Sequence, residues 1–85
     1  MDSTAVLSEI RKFLMDNYLF TDDDNELDNT SSFLDTGLLD STGMMELVMH
    51  VEDSFRISVE DDEMVPENLD SVDNVCAFVS RKLEA

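Results

Sequence analysis

The chain has 85 residues, 42% of them apolar, and a formal net charge of −16 at pH 7, from 21 acidic residues against five basic ones. This length predicts one domain spanning residues 1–85 with one small core, and two glycines with one proline weigh against a turn-rich β fold and for helices. The charge excludes nucleic acid and anionic membrane surfaces as partners, since both would be repelled, and favours basic protein surfaces.

In chain order, Ser3 or Thr4 can cap a first helix. On it Val6, Leu7, Ile10, Phe13, Leu14 and Asn17 follow the spacing of one face, all but the last apolar. Arg11 and Lys12 fall opposite, and the helix is expected to end between Asn17 and Phe20. From Thr21 to Leu39 the periodicity lapses into a connection of a length uncommon in compact domains. Leu27, Phe33 and Leu34 are its expected anchors. Its acids invite a calcium reading, with a twelve-residue loop from Asp24 placing Glu26, Asp28 and Asp35 at ligand positions. The sixth position is Asn29 rather than Gly, and the twelfth is the short Asp35 rather than Glu, so no dedicated metal site is expected. Weak, charge-driven binding of divalent ions is the remaining form.

The stretch Gly37-Leu38-Leu39-Asp40-Ser41-Thr42-Gly43 then delivers a serine to a second helix. Asp40 is suited to cap it, which puts Ser41 at the first helical position with its hydroxyl outward, where the helix dipole favours an attached negative group. Met44, Leu47, Val48, Val51 and Phe55 share one face; Glu46, His50, Glu52 and Asp53 share the other. Met45 and Met49, four residues apart, lie off the centre of the buried stripe, and such soft side chains suit a docking surface. Gly43 costs about 1 kcal/mol against Ala and, with Thr42, is read as leaving the surface beside the serine less bulky. His50, the sole histidine, is more than two turns from Ser41 and reads as a solvated residue or a partner contact.

Arg56-Ile57-Ser58-Val59 reads as a short extended connection with Ile57 and Val59 inward. Glu60 to Glu63 can start a brief third helix, which Pro66 limits. Ser71 caps a last helix with Val72, Val75, Cys76, Val79 and Leu83 on its buried face and Arg81 and Lys82 complementing its C-terminal dipole. Cys76, the one cysteine, excludes an internal disulfide and a multi-cysteine metal site and reads as structural. With no charged-then-apolar leader and no apolar run approaching 18 residues, the expectation is a cytoplasmic, soluble monomer.

From Phe33-Leu34-Asp35-Thr36-Gly37 through Asp40-Ser41, Glu46-Leu47-Val48-Met49 and Glu52-Asp53-Ser54-Phe55 to Val65-Pro66-Glu67-Asn68-Leu69-Asp70-Ser71-Val72, the chain resembles acyl carrier proteins over nearly its whole length. The resemblance implies an all-α, four-helix bundle with a short third helix and a long loop between the first two. It implies a non-catalytic carrier whose Ser41 bears phosphopantetheine, transferred from coenzyme A by a magnesium-dependent phosphopantetheinyl transferase. The arm's thiol would carry acyl groups as thioesters to loading ligases or synthases and acyltransferases with basic docking patches. Asp40, Thr42, Met45, Glu46, Met49, Glu52 and Asp53 become recognition residues. Met44, Leu47, Val51, Ile57, Val59, Met64 and Leu69 become candidates to shelter the acyl chain. Thr42 and Gly43 depart from the commonest family pattern and fit a stand-alone carrier of secondary-metabolite or cell-envelope biosynthesis. An aminoacyl or peptidyl carrier is an alternative, although such domains usually place two glycines before the serine and here only Gly37 is near. An acidic calcium-binding module and an acidic interaction protein are rivals from other classes; an enzyme is the weakest class, since no nucleophile–base set is present.

Overall fold

The computed structural model describes residues 3–84, and among these all regular structure is helical. Three longer helices, α1 (Ser3–Leu14), α3 (Ser41–Phe55) and α5 (Val72–Glu84), enclose the core; two single-turn helices, α2 (Phe33–Thr36) and α4 (Pro66–Leu69), close its ends. The α1 and α5 helices pack along each other, with α4 and α3 against α5. No helix among the described residues is long and apolar enough to cross a membrane.

Val6, Ile10 and Leu14, each four residues on from the last, are fully buried and form the α1 stripe. The capping residue of α1 lies outside the described residues, and Thr4 sits within the helix. The helix does not simply stop. It widens into a π-helical turn, Met15–Leu19, closed by Phe20 in the left-handed region (φ 52°), and the amides of Phe20 and Thr21 both donate to the Met15 carbonyl.

The long connection is built of short elements. Arg11 fastens it to α1, donating to the carbonyls of Leu27 (2.9 Å) and Asp24 (2.8 Å) and to Asn29 Oδ1. Asp23 caps a 3₁₀ turn, Asp24–Glu26, and Ser32 Oγ caps α2 by accepting the Asp35 amide at 3.0 Å. Leu27 and Phe33 anchor the connection in the core. Leu34, expected beside them, is instead 48% exposed, because a single turn can aim only Phe33 inward.

The expected third helix is also rearranged. Glu60 and Glu63 form a capping box on a 3₁₀ turn, Asp61–Glu63, and Pro66 opens the separate α4 rather than ending the preceding turn. A proline suits that place because the first helical amide has no intrahelical partner to lose. Ser71 caps α5 as expected, accepting the Asn74 amide at 3.1 Å. Val72, Val75 and Val79 are fully buried, and so is Phe78, which the spacing argument omits; Cys76 and Leu83 are half-buried. Arg81 and Lys82 do more than face a dipole. They reach Asn68 Oδ1 (3.0 Å) and Glu63 Oε1 (2.9 Å), tying the α4 segment to α5. At its other end Asp70 ties it to α2: its Oδ2 accepts from Ser32 Oγ, its Oδ1 from the Leu34 amide (3.1 Å), and its carbonyl from the Phe33 amide (2.7 Å).

Candidate functional site

The site is the start of α3. Asp40 is extended (φ −97°, ψ −170°) and its Oδ1 accepts the Gly43 amide at 2.8 Å, so the first turn is capped by a carboxylate on the favourable side of the dipole. Ser41 follows as the first helical residue, exposed, with the half-buried Met44 one turn on. Gly43 is buried and does not thin the surface as expected. A Cβ there would lie 3.1 Å from Leu39 Cδ2 and 3.4 Å from Leu39 Cβ. The missing side chain lets the buried Leu39 seat under the turn and fix the approach to Ser41.

Beside Ser41 runs an apolar groove of about 280 Å³, lined by Leu34, Ser41, Met44, Met45, Val48, Met64, Val65, Pro66 and Leu69. The structure thus brings Met44, Met64 and Leu69 of the sequence candidates together. Leu47, Val51 and Val59 are buried in the core and Ile57 is half-buried outside the groove. Leu34, Val48, Val65 and Pro66 line it without a local signal in the sequence. The polar ties of the α4 flank run to α2 and α5; among the described residues none joins Met64–Leu69 to α3. A larger hollow of about 400 Å³ between Tyr18, Leu27, Phe33 and Leu38 does not reach Ser41.

On the outer face of α3, Met49 is 64% exposed and Met45, at the edge of the groove it also lines, 49%, and Thr42, Glu46 and Asp53 are exposed with them. Glu52 is half-buried, with Oε2 accepting the Val59 amide at 3.0 Å, so part of its carboxylate serves the fold. Glu46 Oε2 accepts from the Tyr18 hydroxyl at 2.5 Å, a partner the sequence did not suggest. Burial, then the Glu46 carboxylate and the charge of Asp40, push the Tyr18 pKa up to about 12. His50 is not a solvated residue. Its ring stacks on Phe13 of α1, with Glu9 Oε1 3.8 Å away, and burial lowers its pKa against the opposing charges of Glu9 and Asp53.

Two of the acids weighed as calcium ligands have local work. Asp28 accepts both the amide and the hydroxyl of Thr30 at 2.8 Å, which holds its carboxyl below the usual range, and Asp24 faces Arg11 at 3.6 Å. No group of three or more His, Cys, Asp or Glu among the described residues could hold a metal ion.

A family model described as a phosphopantetheine attachment site matches residues 18–79, most of the chain and all of α3 with the groove beside Ser41. The chain belongs to the acyl carrier protein family. The acyl carrier protein of Exiguobacterium sibiricum is 39% identical over 59 residues, covering 69% of this chain and 72% of the relative. That of a second Exiguobacterium is 39% identical over 61 residues, covering 72% and 75%. Acyl carrier proteins are non-catalytic, so the resident group is a covalent phosphopantetheine rather than a catalytic set. The enzymes this carrier meets are a phosphopantetheinyl transferase and acyl-handling enzymes.

Proposed function

We propose that Ser41 is the residue that bears the phosphopantetheine arm, and that the chain is a single-domain cytoplasmic carrier of acyl groups in a specialised pathway. The observation that carries this is the exposed hydroxyl at the first position of a capped helix, at the mouth of an apolar groove. The fit is chemical as well as steric. A phosphodiester there would meet the unpaired amides and positive dipole end of α3. Among the described residues no hydrogen bond engages the Ser41 side chain, and the sole histidine is held against Phe13. The arm supplies a thiol that carries the acyl group as a thioester. The protein supplies presentation: the Asp40 cap and Leu39 fix the serine, and the groove offers apolar lining to the chain.

The same reading makes the outer face of α3 the enzyme-docking surface, with Met45 and Met49 as adaptable contacts and Asp40, Thr42, Glu46 and Asp53 as polar ones. The exposed Thr42, a departure from the commonest family pattern beside Ser41, supports the specialised pathway. Incubation with a broad-specificity transferase, coenzyme A and magnesium is expected to add one phosphopantetheine to the intact mass. Ser41→Ala is expected to abolish the gain while leaving the thermal midpoint within about 2 °C, as for a benign surface change. An unchanged mass for the parent protein, or continued gain in Ser41→Ala, would sink the assignment.

A further inference from the structure

We infer that Tyr18 is a positioning residue of the docking face, whose phenol aims the Glu46 carboxylate at a lysine or arginine of an incoming enzyme without cancelling its charge. The inference rests on the proposed reading of the α3 face and begins with α1. In an α-helix, residues five apart lie on different faces. The i→i+5 pattern of the Met15–Leu19 turn instead sets Tyr18 beside Phe13, with ring centroids 5.9 Å apart and planes at 59°. Phe13 is held from α3 by the stacked ring of His50, at 4.1 Å. The phenol therefore projects from a fixed ring, and it donates to Glu46 across the α1–α3 boundary.

Charge decides what that bond is for. Among the described residues the ion pairs join Arg11 to Asp24 and Lys82 to Glu63, and His50, whose pKa burial lowers, lies 3.8 Å from Glu9. Arg81 is turned to Asn68. Asp40, Glu46 and Asp53, the acids nearest the α3 docking face, take part in none of these pairs. A cation holding Glu46 would have neutralised it. A neutral phenol orients the carboxylate and leaves its charge and its second oxygen for a partner. With its pKa pushed up to about 12, the phenol remains a donor throughout the working pH range. Fixing a flexible carboxylate before encounter removes an ordering cost that binding would otherwise bear.

The test is a double-variant cycle on transfer of phosphopantetheine from coenzyme A to the apo protein, with thermal midpoints recorded for each variant. Tyr18→Phe is expected to raise KM about two- to tenfold with kcat unchanged, the range set by ordering one side chain. Glu46→Gln is expected to raise KM at least as much, and the double variant no further than Glu46→Gln alone. Four results would overturn the inference: normal kinetics for a modified Tyr18→Phe, a normal KM for Glu46→Gln, a full extra factor from Tyr18→Phe in the Glu46→Gln background, or a loss confined to kcat. Failure of the parent protein to gain the arm at Ser41 would instead overturn the carrier assignment.

Discussion

Phe13 and His50 stack face to face, with ring centroids 4.1 Å apart and planes 18° from parallel, and so bolt α1 to α3. The stack makes stability depend on pH with a defined sign. Burial lowers the folded pKa of His50 below its ordinary 6.5, so the unfolded chain binds the proton more readily. The contribution is complete above about pH 6.5 and is lost as pH falls from there toward the folded value. His50→Gln should therefore cost about 1 kcal/mol at neutral pH, from the lost stack, and less at pH 5.5. Urea unfolding of both proteins at pH 7.5 and 5.5 checks this; an equal cost at the two values counts against it.

The two glycines fail for different reasons when replaced. Gly37 ends α2 at φ +76° with nothing within 4 Å of a Cβ, so Gly37→Ala should cost about 1–2 kcal/mol from backbone strain alone. Gly43 has room for its backbone but not for bulk, and Gly43→Val should cost about 1–3 kcal/mol by pressing on Leu39. Chemical denaturation measures both. A neutral Gly43→Val would show that Leu39 can move aside.

Asp40 has a structural role separable from its charge. Asp40→Ala removes the acceptor of the Gly43 amide and should cost about 1 kcal/mol, whereas Asp40→Asn keeps an acceptor and should cost clearly less. Equal losses in the two melting curves would mean that the negative charge, not the cap, supports the turn.

Asp70 receives three bonds from residues 32–34. Asp70→Ala would strip the Ser32 hydroxyl and the Leu34 amide of their acceptor and should cost about 1–3 kcal/mol. Amide exchange should speed up at Phe33 to Thr36 before it does in α1. Uniform acceleration across the chain would place the tie in the global fold instead.

Met45 separates docking from folding. Half its surface is free, so Met45→Glu should change stability by no more than about 0.5 kcal/mol while weakening transfer from acyl-loaded protein to a cognate enzyme. A loss of several kcal/mol would return Met45 to the core.

What was legible in the sequence was local. The Asp40 cap, the apolar stripe of α3 and the Ser71 cap each follow from short-range spacing, and the structure has all three; His50 and Glu52, read onto the polar face of α3, are half-buried. The hidden features depend on departures from the regular period or on distant pairs. A 3.6-residue period put Asn17 on the inner face of α1. The π-helical turn leaves Asn17 at the surface, donating to the Phe13 carbonyl, and swings Tyr18 toward α3. Ser32 and Asp70 are 38 positions apart, and nothing in either neighbourhood announces the other. Pro66 carries two meanings, an end to the turn before it or a start to the helix after it, and only the fold chose the second. The groove suffered most, because its lining mixes one flank of α3 with Leu34 of the single-turn α2 and with residues 64–69 around the turn that begins at Pro66.

That lining has one mechanical result. The α4 side is stitched to α5 and α2, and among the described residues no polar tie crosses the groove to α3. A hydrocarbon wedged between them would break no directional bond, and its own methylenes would replace the lost contacts. The gap is an unsewn hem: no directional bond among the described residues would have to tear for a guest to enter it.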